Sequence, residues 1–483
     1  MLKKRNIFKV FLGTCILFKS LTGAEIGEAE SIVANAQVKI NGSMINSFVF
    51  TFDKKPIVDK KEIKIEYNGP KGKKTYFDPN LGKNVTIELT GEELYQADIR
   101  EISIKGNTLE IITTNVPTMN NYTIIIGDRK FEKNKNIRVI SPDSDKFTYH
   151  TYKDDKVEFN YRLYTPQNIG KEKLPIILAL HGSGECADRK DYDNNSHLIV
   201  NRMILSWSDE EFQKNNPAYI IAPQFPSLEA SYDTLNYQKA FINIIEGIIK
   251  SGNGDKNRVY ASTLSMGSRI FYNLIGNFPE YFSAAHINCG NPADAKIENV
   301  KSMPLHIIHA ENDTTVQTQF SIDTFKKLYS IGNKNIRLTL YPEKEMKDKN
   351  IEDMHCPWEI SNEERENLEW IFSFDKSQTV KESKKLSGNI FDTYIFDNEI
   401  YVPLFETSKK IGYIHNIDEV SNVITFKNKE KKLIKICLTQ SNTPILIKDG
   451  VIYAKFDIFS KKFDCRVELF NIKDILKIRI TQK

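Results

Sequence analysis

The sequence predicts a multidomain chain: a doubly wound α/β domain flanked by an N-terminal β-sandwich and a C-terminal α+β repeat domain. Three observations carry this. The chain has 483 residues, and at about 150 residues per domain that is room for roughly three domains rather than one core. Its texture changes twice, from short alternating runs to apolar strands interleaved with helical stretches, and then to two copies of one short pattern. Its composition is that of a folded protein: hydrophobic residues make up 40% and charged residues 27%, with 28 Phe and 21 Tyr, which excludes wholesale disorder and a collagen-like repeat. The 67 Lys and Arg against 63 Asp and Glu leave a scattered net charge of +4, and without a basic block nothing points to a nucleic-acid partner.

Residues 1–36 read as a signal peptide. Lys3, Lys4 and Arg5 precede the apolar run Val10 to Phe18, with small residues for cleavage near 24 or 36, at Ala24 or Ala36. At about 1.5 Å per residue that run is far too short to cross a bilayer core of about 30 Å, so a secreted or cell-surface product with no membrane span is expected. Residues 37–145 follow as short alternating runs (Ser47 to Phe52, Val85 to Leu89, Glu110 to Thr113, Tyr122 to Ile126) separated by turn signals at Asn41-Gly42, Asn68 to Pro70 and Gly106-Asn107. That spacing fits an immunoglobulin-like β-sandwich, with a hint of helical period only at Glu92 to Ala97.

Residues 146–375 carry the α/β pattern. Strands are expected at Pro175 to Leu180, Tyr219 to Ala222, Arg258 to Ser262, Leu305 to His309 and Arg337 to Tyr341. Amphipathic helices are expected at Tyr237 to Ile249, Ile270 to Asn277, Ser321 to Tyr329 and Asn362 to Phe372. Residues 376–386 form a charged linker. In residues 387–483, Ile400-Tyr401 and Ser408-Lys409-Lys410 recur at a constant offset as Ile452-Tyr453 and Ser460-Lys461-Lys462, each copy reading as strand, short helix and closing strand pair. Beyond Cys15 the chain holds Cys186, Cys289, Cys356, Cys437 and Cys465. An odd set without a C-x-x-C pair reads mainly as buried thiols, with a pairing among Cys186, Cys289 and Cys356 left open.

The chemistry concentrates where the strand Arg258 to Ala261 runs into Thr263-Leu264-Ser265-Met266-Gly267 and then a helix. A serine on a sharp strand-to-helix turn is lifted clear of the sheet at a helix N-terminus, and small residues two places either side let the turn close. Gly267 meets the downstream requirement; Thr263 stands at the upstream one. The first apolar strand ends in His181-Gly182-Ser183-Gly184-Glu185, whose backbone N–H groups can turn inward. Ser183, with Met266, would supply donors for an oxyanion, Gly182 would line the substrate, and His181 reads as structural. Serine needs a base and an orienting acid. Asp313 follows the strand Leu305 to His309, with Glu311 as the competing carboxylate. Of the eight histidines only His355 and His415 come after Asp313, and His415 belongs to the repeat. The order Ser265, Asp313, His355 results, and Trp358 would flank the base. No metal or organic cofactor is called for.

Taken together, Tyr161 to Pro166, His181 to Glu185, Ala222-Pro223-Gln224, Leu264 to Gly267, Asn288-Cys289-Gly290, His309 to Asp313 and His355 to Trp358 resemble secreted bacterial carboxylesterases of the α/β-hydrolase superfamily. These are the polyhydroxybutyrate depolymerase, feruloyl esterase and prolyl-oligopeptidase-like group. The resemblance spans residues Phe147 to Phe374; members usually have glycine where this chain has Thr263 and Ser268. It implies a serine esterase with Ser265 as nucleophile, Asp313 as orienting acid and His355 as base, acting on small-molecule or polysaccharide-linked esters. A serine peptidase of the same fold, and an inactive surface-binding protein whose flanking domains contact cell wall or glycan, are the alternatives. The tail, from Tyr401 to Leu404 through Gly412-Tyr413 to Val423 to Phe426, resembles the copper amine oxidase N-terminal-like stalk domain. Its one histidine, His415, implies no copper.

Overall fold

The structure is a computed structural model. It describes residues 24–482 apart from 40–41, 70, 79–82, 134–136, 168–169, 171, 188–195, 233, 294, 379–387, 419, 439–443 and 473. The apolar run of the expected signal and most of the expected linker lie outside those residues. The chain divides into two compact units, Met1–Ala36 with Met44–Ile140, and Gln37–Ser43 with Ser141–Lys483.

In the first unit, strands Ile137–Ile140, Ala29–Lys39, Gly42–Phe52, Thr108–Pro117 and Ile99–Lys105 form one sheet in that order, and Arg129–Glu132, Tyr122–Ile126, Ile63–Asn68 and Leu94–Ala97 form another. Strand alternation turns Phe48, Phe50 and Phe52 to the same side. They meet Ile63, Ile65, Ile124 and Ile126 of the other sheet in a single core, so the two sheets make a sandwich. The helical hint at Glu92 to Ala97 is corrected. Leu94–Ala97 is a strand, antiparallel to Ile63–Asn68 with Tyr67 opposite Tyr95, and those two rings stack at 5.7 Å. A cross-strand aromatic pair outweighs the local preference of so short a segment.

The second unit is built on one eleven-stranded sheet. Its strands are β1 (Thr148–Lys153), β2 (Glu158–Tyr164), β3 (Leu174–Leu180), β4 (Tyr219–Pro223), β5 (Gly254–Leu264), β6 (Ala284–Asn288), β7 (Leu305–Ala310), β8 (Ile336–Tyr341), β9 (Ile390–Asp392), β10 (Cys465–Ile472) and β11 (Ile475–Gln482). They lie in the order β1-β2-β4-β3-β5-β6-β7-β8-β10-β11-β9. From β4 to β8 every neighbour is parallel, which requires crossovers and puts helices on both faces. The fully buried pattern of β3, β4, β6, β7 and β8 follows. On one face Ile176, Leu178 and Leu180 pack with α1 (Thr234–Lys250), α2 (Met266–Asn277) and α3 (Thr318–Ser330) through Phe241, Ile270, Leu274 and Phe325. On the other, Ile177 and Ala179 pack with Trp207, Phe212, and Leu368 and Ile371 of α4 (Arg365–Phe372). Each such aliphatic side chain taken from water contributes about 1.5–3 kcal/mol.

The tail differs from the expectation of a self-contained domain at 387–483. Its strands β10, β11 and β9 continue the central sheet beyond β8 in antiparallel fashion, and Leu338 and Leu340 share one core with Val402, Leu404, Val467 and Leu469. The repeat itself is visible. Glu399–Pro403 leads into the helix Leu404–Lys410, Val451–Lys455 leads towards the helix Ile458–Lys461, and the two strands pair antiparallel with Tyr401 opposite Lys455. Among the described residues no helix is long and apolar enough to cross a membrane. The five described cysteines are free thiols.

Candidate active site

Strand β5 runs into α2 through Ser265, which has φ 49° and ψ −116°. A positive φ is uncommon and strained for a residue with a side chain, and here it turns the hydroxyl out at the head of α2. Two contacts hold the turn. Ser265 N–H donates to Asn288 O at the end of β6 (3.0 Å), and a Cβ on Gly267 would lie 2.3 Å from Leu180 O, an approach only glycine allows. The hydroxyls at Thr263 and Ser268, where the resembled group has glycine, are absorbed by bonding each other at 2.9 Å, while Ser268 Oγ also donates to Asn288 O at 2.7 Å. The elbow therefore closes without the upstream glycine.

The structure brings Ser265, His355 and Asp313 together. His355 Nε2 lies 2.8 Å from Ser265 Oγ, and its Nδ1 lies 2.7 Å from Asp313 Oδ2. Facing a carboxylate, Nδ1 carries the proton, which leaves the Nε2 lone pair towards the serine hydroxyl. Asp313 sits just beyond β7, after Asn312 in the left-handed region at φ 62°. Its Oδ1 accepts the N–H groups of Thr315 (2.8 Å) and Val316 (2.9 Å). Burial pushes this carboxyl up, but hydrogen bonds from His309 and then His355 outweigh it and hold the group well below the usual carboxylate range. The His355 backbone is fixed by its N–H donating to Asp353 Oδ1 (2.9 Å). The Trp358 ring stands edge-on to the imidazole at 5.3 Å, and is also part of the core beneath α4.

The competing acid is elsewhere in its bonding. Glu311 accepts from Ser460 Oγ of the second repeat helix, and burial lifts its carboxyl to about 7. His415 stacks on Phe405 at 4.1 Å in the tail. At the end of β3, His181 Nε2 accepts the Phe225 N–H (3.0 Å), so Nδ1 carries the hydrogen and donates to Gly182 O (2.6 Å). Burial lowers this imidazole to about 4, and it stays neutral as a structural clamp. Gly182 lies against the elbow, where an added Cβ would be 3.6 Å from Ser265 Cβ. Its N–H is engaged by Glu185 Oε2 at 2.6 Å, so the contact expected of Gly182 with substrate is not a free N–H. Ser183 opens the short turn Ser183–Glu185 that this bond holds. Met266 is the first residue of α2 and its N–H has no intrahelical acceptor.

Sequence reasoning misses three further groups. Asn288 bonds the elbow through its carbonyl and its Nδ2, which donates to Thr263 O (3.1 Å). Cys289 is buried at φ 49°, and its thiol is pushed well up by burial first and then by the Asp313 charge. His309 touches the same Asp313 oxygen as His355. The sequence marks these residues only as parts of resembling segments, and their contacts appear in three dimensions: Asn288 meets the elbow on the neighbouring strand, and His309 meets Asp313 four residues on. Cys289, Asp313 and His355 offer donor atoms within 4.8 Å of one another, a set that could ligate an ion. The carboxylate and imidazole are already bonded to each other, and the thiol holds its proton. A cavity of 420 Å³ lined by Phe212, Arg365 and Phe372 contains none of these groups.

A structure of a thermostable esterase superposes on this chain with a TM-score of 0.57 and 22% identity, over 72% of this chain and 100% of the other. The fold is that of an α/β-hydrolase. Two further structures share the likeness at lower overlap. Thermogutta terrifontis esterase 2 phosphoramylated by tabun has TM-score 0.33 and 13% identity over 41% of this chain and 84% of its own. Est1E from Butyrivibrio proteoclasticus has TM-score 0.31 and 13% identity over 42% and 96%. No protein-family model and no curated protein matches the chain. Within the hydrolase fold, the elbow after β5, the acid after β7 and the histidine before α4 stand in the chain order this architecture uses.

Proposed function

We propose that this chain is an exported serine hydrolase that cleaves carboxylic esters through an acyl-enzyme on Ser265. The observation that carries the reading is the continuous hydrogen-bond chain from Ser265 Oγ through His355 to Asp313, at 2.8 and 2.7 Å. Ser265 Oγ attacks the ester carbonyl carbon while His355 Nε2 takes its proton, and Asp313 stabilises the imidazolium. The carbonyl oxygen, now negative, is met by the N–H groups of Met266 and Ser183. His355 returns the proton to the departing alcohol oxygen. Water, deprotonated by the same nitrogen, then attacks the acyl carbon and frees Ser265. Trp358, edge-on to His355, offers an apolar wall to the bound group.

Export is supported by the basic residues ahead of Val10 to Phe18. The first unit is taken as an immunoglobulin-like module and the repeat as stalk-like, which suits esters carried on polysaccharide at a cell surface. A p-nitrophenyl acetate assay tests the chemistry. Wild type hydrolyses it, and Ser265→Ala is slower by about 10³ or more, because little beyond oxyanion and binding effects survives. Equal rates would remove Ser265 as nucleophile. A peptide p-nitroanilide run beside the ester separates esterase from peptidase.

A further inference from the structure

His309, the last residue but one of β7, is a fully buried side chain with three polar partners. Its Nε2 lies 3.0 Å from Asp313 Oδ2 and 2.9 Å from the carbonyl oxygen of Val316. Both are acceptors, so Nε2 must carry the hydrogen. Its Nδ1 lies 2.7 Å from Ser321 Oγ, in the first turn of α3, and accepts that hydroxyl's hydrogen. The tautomer is thus determined by its partners. Asp313 Oδ2 consequently receives two imidazole N–H groups, one from His309 and one from His355.

We propose that His309 is a positioning residue of the Ser265–His355–Asp313 relay: its forked Nε2–H ties Asp313 Oδ2 to the loop at Val316, aims that oxygen at His355, and takes up part of its negative charge. This deepens the reading given under Proposed function and rests on it. A carboxylate oxygen shared between two donors presents less charge to each. Without His309 the charge falls more fully on His355 Nδ1–H, the imidazole keeps a proton to higher pH, and the carboxylate is free to swing. Of the other titratable groups near Asp313 and His355, the thiols of Cys289 and Cys356 are pushed up, in each case by burial first, and the Asp353 carboxylate accepts the His355 backbone N–H. Glu311 on the same loop is turned to Ser460 and Lys461.

Two amide variants separate positioning from packing. In His309→Gln the amide nitrogen reaches the place of Nε2 and can still donate to Asp313; in His309→Asn it reaches only the place of Nδ1, beside Ser321. The readouts are the rate of covalent labelling by a fluorophosphonate from pH 5 to 9, and kcat and KM for p-nitrophenyl acetate. Expected is near-wild-type behaviour for His309→Gln. For His309→Asn, labelling and kcat fall about tenfold with KM unchanged, and the acid limb moves up by about half a pH unit. If the two variants behave alike, or the acid limb stays in place in both, His309 only fills space and the inference is overturned. Ser265→Ala serves as the control for the underlying reading. A wild type that takes no label, or an alanine variant that hydrolyses as fast as wild type, ends the hydrolase reading and this inference with it. A labelled wild type with an inert alanine variant and unmoved His309 variants ends the inference alone.

Discussion

The two copies of the tail repeat begin alike and finish differently. Each has a strand, a short helix and a serine in that helix, and Ser408 Oγ bonds Phe405 O as Ser460 Oγ bonds Asp457 O, at 3.1 and 3.0 Å. The first copy's closing hairpin, Ile414–Asp418 with Val423–Lys427, joins Leu433–Cys437 in a three-stranded sheet of its own. Ile414 there is 72% exposed. The second copy's hairpin is β10 and β11, and it lies against β8 with Cys465, Val467 and Leu469 fully buried. The difference lies in what the second hairpin carries on its other face. Arg466 reaches Glu364 at 2.9 Å and Glu345 at 2.5 Å while stacking 4.4 Å over Tyr341, and Glu468 accepts from Arg479 at 2.5 Å. Charges with dedicated partners can be buried. A common repeat is therefore converted into part of another sheet by a few residues that have matching groups waiting there.

Removing the second hairpin is the severest way to break this contrast. A chain ended after Asp464 leaves β8 paired on one edge only and strips cover from Leu338 and Leu340. No cooperatively melting soluble protein is expected, whereas Ile414→Glu in the first hairpin changes stability by no more than about 0.5 kcal/mol. Thermal melts of both decide it, and a truncated chain that melts like the parent would dissolve the distinction. Arg466→Ala is next. It leaves the buried Glu345 and the half-buried Glu364 without this cation, and a stability loss of about 3–5 kcal/mol is expected, read from the shift in denaturant midpoint.

The smallest effect compares equivalent serines. Ser460→Ala removes a donor from the buried Glu311 and costs about 1 kcal/mol more than Ser408→Ala, whose hydroxyl meets only backbone. Glu311 also sets a sign with pH. Burial raises its carboxyl from 4.5 to about 7, so between those values the unfolded chain has released a proton that the folded chain still holds. Stability from this group is complete below pH 4.5 and lost as the pH rises through about 7. Glu311→Gln should flatten that part of the melting-temperature profile, and an unchanged slope would show that Glu311 does not titrate in this range.

Part of the central sheet is legible because strands buried on both faces are written as apolar runs: β3 and β4 stand out on that ground, while β8 shows as an alternation of Ile336, Leu338 and Leu340 with Arg337 and Thr339. β6 does not stand out, since His286 and Asn288 interrupt its apolar run, and both are buried polar residues with partners in other elements, Asn362 and Thr263. Ser265, Asp313 and His355 were recoverable from chain order and loop context. Chain order names Asp313 with Glu311 as its rival, and only the third dimension separates them, since Asp313 faces the imidazole and Glu311 faces Ser460. Thr263 looked like an obstacle to the elbow in one dimension; its hydroxyl partner Ser268 removes it in three. The merging of the tail with the sheet was hidden for a related reason, as alternation marks a strand without saying whose edge it will join.

The pairing of β8 with β10 joins Tyr341's strand to one beginning at Cys465, across the whole intervening repeat. Contacts so distant along the chain carry a large loop-closure cost and tend to form late. Until they do, β8 presents a long apolar margin of unpaired peptide groups, the kind of surface on which misassembly starts. Refolding yield, more than the finished protein's activity, should therefore depend on how quickly the last hairpin docks, and chaperone demand should rise with anything that delays it.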